Sequence, residues 1–149
     1  MASFVDQLKA FKEKVRANFD EVTNEVTSEL AARLVTRSPV DTGRLRANWQ
    51  FTVGEPAEGE VIAFDPSGLD TISNILSSVT STGSGNITYI VNNLPYMPVI
   101  EYGLYPNPPK NYTGKTIDGF SSQAPTGVRD ITVAEFQGIV LTAVRGLSV

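Results

Sequence analysis

At 149 residues, with 41% hydrophobic side chains, the chain carries enough apolar material for one compact domain over 1–149 and too little for two. Its 12 basic and 16 acidic residues leave a net charge of −4, which excludes the basic footprint of a general nucleic-acid binder. Cysteine and histidine are both absent, and thiol nucleophiles, imidazole acid–base chemistry and nearly every zinc, copper or haem site go with them.

From Ser3 to about Thr36 there is no Gly or Pro, and Phe4, Leu8, Phe11, Val15, Phe19, Val22, Val26, Leu30 and Leu34 recur close to the helical period. This predicts one long amphipathic helix, opened by Ser3 and Asp6 as a capping box. At ~1.5 Å per residue it is roughly 50 Å long, more than a small domain's diameter, so it either bends around its own core or offers part of its stripe to a partner. Glu21, Glu25 and Glu29 form a solvated face. The helix ends near Ser38 because Pro39 disfavours helical backbone in the residue before it.

After a turn at Asp41, Thr42 and Gly43, strict alternation from Leu45 to Val53 predicts a half-buried strand, with Leu45, Ala47, Trp49, Phe51 and Val53 on one side. Glu60 to Phe64 reads as a second strand, forming a hairpin with the first. Leu69 to Val79 has the spacing of a short helix, with a loop as the alternative given its Ser and Thr content, and Ile87, Tyr89 and Val91 mark a third strand. A Pro- and Tyr-rich stretch from Leu104 to Pro125 lacks apolar periodicity and is expected to be an extended loop. The remainder is helical to about Gly146. Its main stripe is Val133, Phe136, Val140, Val144 and Leu147, with Ile131 and Ile139 off it, so the helix is expected to be sandwiched, between sheet and long helix or between subunits. Together these elements predict an α+β fold, a small antiparallel sheet packed against the N-terminal and C-terminal helices.

Chemical motifs are weak. Gly114, Lys115 and Thr116 spell the end of a phosphate-binding loop, but Pro109 stands where its first glycine is required. Glu55, Glu58 and Glu60 flank a turn without histidine support and read as solvated charges. Asn86 and Asn111 match the glycosylation pattern, which without a secretory signal carries no meaning. Arg44 and Arg46 beside Asp41 form the one concentration suited to an anion, although ion pairing within the fold or across subunits explains them as well. From Ala47 to Pro109 there is no Lys or Arg, whereas Glu55, Glu58, Glu60, Asp65, Asp70 and Glu101 are negative, so an electronegative surface is expected. No catalytic residue, cofactor site or metal site is expected. A hydrolase using carboxylates alone is the rival reading, and it lacks an evident paired-carboxylate cleft. No segment has the roughly 20 apolar residues of a membrane span, nor the apolar core of a signal peptide.

Three segments are more specific: Ser38 to Arg46, Asn92 to Tyr96 continuing through Ile100 to Gly103, and Gln123 to Arg129. In this order they resemble the tail-completion or neck protein family of lambda-like long-tailed bacteriophages. The resemblance implies a virion structural protein of the head–tail junction, made in the host cytoplasm. It implies a homo-oligomeric ring, a hexamer, that joins tail to capsid, touches adjacent neck and tail proteins and passes genomic DNA without binding it specifically. The tail terminator, which caps the tail tube, is the alternative within the same class. The candidate motif and interface residues are Asp41, Gly43, Arg44, Arg46, Pro95, Tyr96, Glu101, Tyr102, Gly103 and Arg129. The long stretch before Gln123 departs from the family pattern; as a partner loop it offers Tyr105, Pro108, Pro109 and Tyr112. Gly43 and Gly103 can take positive φ, and Asp41 can bond the amides of its own turn. Glu101, if buried, needs a partner, for which Arg44, Arg46 or Arg129 are the candidates.

Overall fold

Ser3 opens the first helix. Its hydroxyl accepts the Asp6 N–H at 3.1 Å while the Asp6 carboxylate accepts the Ser3 N–H at 3.2 Å, so two otherwise orphaned amide donors satisfy one another's side chains. In the computed structural model, which describes residues 1–147, helix α1 then runs unbroken over Phe4–Arg37. The last two residues of the expected 1–149 span lie outside those described. The helix stops at Ser38, whose extended backbone precedes Pro39. The buried Ser38 hydroxyl donates to the Leu34 carbonyl and accepts the Trp49 indole N–H, both at 2.8 Å, which fixes the helix end to the sheet.

The predicted strand begins four residues late. Arg44–Ala47 instead makes one helical turn, α2, entered through Gly43 in the left-handed region, and strand β1 is Trp49–Val53. Alternating apolar residues at 45 and 47 fit a single turn as well as a strand, and Asn48 decides between them. Its buried amide donates to the Arg44 carbonyl and to Val61 O, and its carbonyl accepts the Val61 N–H at 2.7 Å. Those bonds hold residues 60–64 beside the sheet by side chains rather than by a backbone ladder, so the predicted hairpin does not form.

After helix α3 (Leu69–Thr80) comes strand β2 (Thr88–Asn92), and it is β2 that pairs antiparallel with β1, Trp49 opposite Asn92 and Val53 opposite Thr88. Helix α4 (Met97–Tyr102) follows. The expected extended loop contains a minimal hairpin, β3 (Thr116–Ile117) with β4 (Phe120–Ser121), and Gly119, Ser121 and Ala124 are buried. The last helical region is broken at Glu135 into α5 (Arg129–Ala134) and α6 (Phe136–Arg145). The fold is α+β as predicted: a two-stranded antiparallel sheet with a long N-terminal helix and a C-terminal helix.

The main core joins Leu34 and Val35 of α1, Trp49, Ile75 and Val79 of α3, Ile100 of α4, Ala124 and Val128. A second cluster joins Val26 of α1 to Ile139 and Ala143 of α6. The predicted C-terminal stripe is split: Val140 packs beside buried Ile139 and Ala143 against α1, while Val133, Phe136 and Val144 are exposed and Thr132 is buried. The sheet does not form the other half of a sandwich around α6. Half of α1 is likewise uncovered, with Phe4, Phe11 and Phe19 each more than 60% exposed.

Candidate functional site

The three motif segments meet. Glu101, 7% exposed on α4, receives the first amides of α5: Val128 N–H at 2.9 Å and Arg129 N–H at 2.8 Å on one carboxylate oxygen, Asp130 N–H at 2.8 Å on the other. A carboxylate at a helix start fills the orphan donors and opposes the positive end of the helix. Gly127 permits this approach, with φ +79° and a position where a Cβ would lie 2.8 Å from the Glu101 carbonyl oxygen. The expected arginine partner of Glu101 is thus corrected: backbone amides take that place, and none of Arg44, Arg46 or Arg129 pairs with it through its side chain. The Arg129 guanidinium goes to Asp130 and to the Tyr102 hydroxyl, and stacks 5.9 Å from the Tyr102 ring centre.

Arg46 is consumed by backbone. Its guanidinium donates to the carbonyls of Ser38 (3.0 Å), Thr36 (2.9 Å), Pro66 (2.9 Å) and Ser67 (3.3 Å), closing the C-terminal end of α1 onto the 65–68 turn. Arg44 pairs with Glu60 at 2.6 Å. Arg46 therefore has its guanidinium spent on backbone, whereas Arg44, 43% exposed, uses only Nη2 on Glu60. Asp41 is exposed and makes none of the expected turn bonds among the described residues. Thr42 receives the Arg44 N–H instead, at 3.4 Å. The amide-binding role falls to Asp65, which accepts Gly68 N–H, Thr71 N–H and both the Ser67 and Thr71 hydroxyls. Burial pushes its carboxyl up, but those bonds outweigh it and hold it below the ordinary carboxylate value.

Gln123 in the third segment reaches Val40 in the first, as described below, and closes one wall of a groove of about 430 Å³. Its lining includes Asp41, Gly43, Arg44, Tyr96, Tyr105 and Lys115, so all three segments and the long loop contribute. Gly43 (φ +90°) allows the close contact with Pro66, whose nitrogen would lie 2.3 Å from a Cβ there. Gly103 (φ +65°) ends α4 against the Phe120 ring. Pro95 is exposed beside buried Leu94. Of the loop residues, Tyr105 is half-buried, its N–H bonded to Gly119 O at 3.0 Å, and Pro109 is half-buried, whereas Pro108 and Tyr112 are exposed. Lys115 is followed by strand β3, not by the helix of a phosphate-binding loop.

The electronegative surface is smaller than expected. Asp65 and Glu101 are buried in helix-capping roles and Glu60 is paired, leaving Glu55, Glu58 and Asp70 exposed from that run. Sequence reasoning also missed Asn48, Ser38 and the cluster in which Glu135 receives Arg33 and Arg37 across 98 residues or more. These partners lie far apart in the chain, and no local pattern marks them. Among the described residues no group of three or more Asp or Glu is placed to hold a metal ion, and no helix is long and apolar enough to cross a membrane.

The chain matches the model of a family described as "Bacteriophage HK97-gp10, putative tail-component" over residues 2–103, more than half its length. The chain belongs to this HK97-gp10-like family. That match takes in α1 through α4 and the first two motif segments, and stops where the Pro- and Tyr-rich stretch begins. As an HK97-gp10-like protein it is a phage tail component, a structural part of the virion that works among other tail or neck proteins. No curated protein and no solved structure matches the chain.

Proposed function

We propose that this HK97-gp10-like protein is a ring-forming subunit of the head–tail connector, sited at the neck of the virion, and that it has no catalytic role. Six copies surround the channel through which genomic DNA passes without specific binding. The observation that carries this reading is the apolar surface left open at both ends of the fold, on the first half of α1 and on the outer side of α5 and α6. Exposed apolar side chains gathered on one helix face, as Phe4, Leu8, Phe11 and Phe19 are, favour a protein partner over solvent. Two different patches on one chain suit a head-to-tail contact, the kind that forms a ring when the rotation between successive copies closes. The motif residues act by building a rigid body: Glu101, Gly127, Arg46 and Gln123 join the segments that carry those faces. The exposed part of the long loop, about 106–115, is left to meet a neighbouring protein.

The test is a phage from which this chain has been deleted, viewed by electron microscopy. Filled heads and complete tails that fail to join support the connector. Tails of uncontrolled length would instead indicate the capping role of a terminator.

A further inference from the structure

The first half of α1 leaves the body as a helical arm. Every residue from Met1 to Lys14 is exposed, and Phe4, Leu8, Phe11 and Phe19 line one side at helical spacing. Lys9, Lys12, Lys14 and Arg16 stand among them against only Asp6 and Glu13, and none of these four cations makes an ion pair among the described residues. The second half of the same helix is opposite in sign. Glu21, Glu25 and Glu29 are exposed, each one residue before Val22, Val26 and Leu30, which pack against Ile139, Val140 and Ala143 of α6. Glu29 is held by Arg33 at 2.7 Å, so Glu21 and Glu25 are the carboxylates of this run without an ion pair among the described residues. An acidic ridge therefore runs beside α6, and α5 and α6 present Val133, Phe136 and Val144 outward, with Phe136 47% and Val144 48% exposed.

The two surfaces match. One is an apolar strip with cations spread over about 10 Å of helix, the other an apolar strip edged by the unpaired carboxylates Glu21 and Glu25, about 6 Å apart along the helix. They cannot meet within one chain, because the arm and the acidic ridge lie along the single unbroken helix α1, and α6 packs on the second half of that helix. We infer that the α1 arm of one copy lies on the α6 face of the next, Phe4 to Phe19 against Phe136 and Val144, with its lysines along Glu21 and Glu25. The contact joins different surfaces of successive copies, so it propagates around a ring. A helix set by anchors at i, i+4 and i+7 into an apolar face is an established binding mode. This inference rests on the ring proposed above and names the surface that makes it.

The chain has no cysteine, so two single variants, Phe11→Cys and Val144→Cys, report the contact directly. Both sites are exposed, and helix content and Tm should stay as in the parent. Mixed and oxidised, the two variants should form a disulfide-linked dimer that neither forms alone. In native mass spectrometry of the chain without added cysteines, Lys9→Glu with Lys12→Glu should weaken assembly at least ten-fold, and adding Glu21→Lys with Glu25→Lys should restore it. Rings that persist with no mixed cross-link, or with Phe11→Cys linking to itself, would overturn the docking and leave the ring reading intact. A monomer at every concentration with no cross-link would overturn both. Binding of the arm to phosphatidylserine vesicles in place of any cross-link would assign it to a membrane surface and overturn the docking.

Discussion

Gln123 treats Val40 as a neighbouring strand would: its amide nitrogen donates to the Val40 carbonyl and its amide oxygen accepts the Val40 N–H, each at 2.9 Å, across 83 residues of chain. The first and third motif segments are joined by this ring of two bonds. Gln123→Ala should cost about 1–2 kcal/mol, since two modest hydrogen bonds are lost at an exposed position. Gln123→Glu should be no better, because it replaces the donor with a second acceptor facing the Val40 carbonyl. Denaturant unfolding measures both, and a variant as stable as the parent would show that the pairing contributes nothing.

Glu101 should be the most sensitive charged position. Its carboxylate faces three amide donors in a buried site, and Glu101→Gln sets an NH₂ group against at least one of them. A loss of about 2–4 kcal/mol follows, read as a Tm lower by roughly 5–15 °C for a chain of this size. Arg129→Ala, which removes an exposed ion pair and a stacking contact, should cost under about 1 kcal/mol. Equal losses in the two variants would mean that the arginine, not the helix start, is the true partner.

Two glycines of nearly equal φ separate backbone strain from packing. Gly54 (φ +87°) has open space where a Cβ would go, so Gly54→Ala should cost only the left-handed backbone penalty, about 1–2 kcal/mol. Gly43→Ala adds a collision with the Pro66 backbone at 2.3 Å and should cost distinctly more, enough to reduce soluble yield. Similar thermal shifts would contradict the packing account of the first motif.

Acid should destabilise the protein. The Arg37 and Arg33 guanidiniums hold the Glu135 carboxyl below its ordinary value, and hydrogen bonds do the same for Asp65 against the opposing effect of burial. A carboxyl lowered on folding adds stability above its unfolded pKa, about 4, and loses that contribution as pH falls through the folded value. Stability should therefore be flat from about pH 7 to 5 and decline below about pH 4. Glu135→Gln should lower the plateau and make the acid decline shallower. A parent that gains stability on acidification below pH 4 would reverse the assignment.

What the sequence made legible was local. The capping box, the 34-residue helix, α3 and β2 follow from period and punctuation within a few residues. The strand partner of β1 was misread because proximity favoured residues 60–64, whereas Asn48 captures that segment by side chain and leaves β1 to pair with β2. The C-terminal helix reads as sandwiched between sheet and long helix or between subunits, and within the chain only its α1 side is packed, because periodicity records that a face is apolar and not what covers it. Glu101 was matched with arginines because side-chain charges are visible in a sequence, while the amides of a helix start 27 to 29 residues away are not. The three segments stand out in the sequence by resemblance alone; that they meet, through Glu101 on the α5 amides and Gln123 on the Val40 backbone, is visible only in the fold.

The central claim is best tested by a cryo-electron reconstruction of the intact virion neck. The account predicts a closed ring of six copies between capsid and tail, with the α1 arm of each copy lying on the next and DNA in the channel. Density for this chain away from the junction, or at the junction as isolated copies with the arm free, would contradict it.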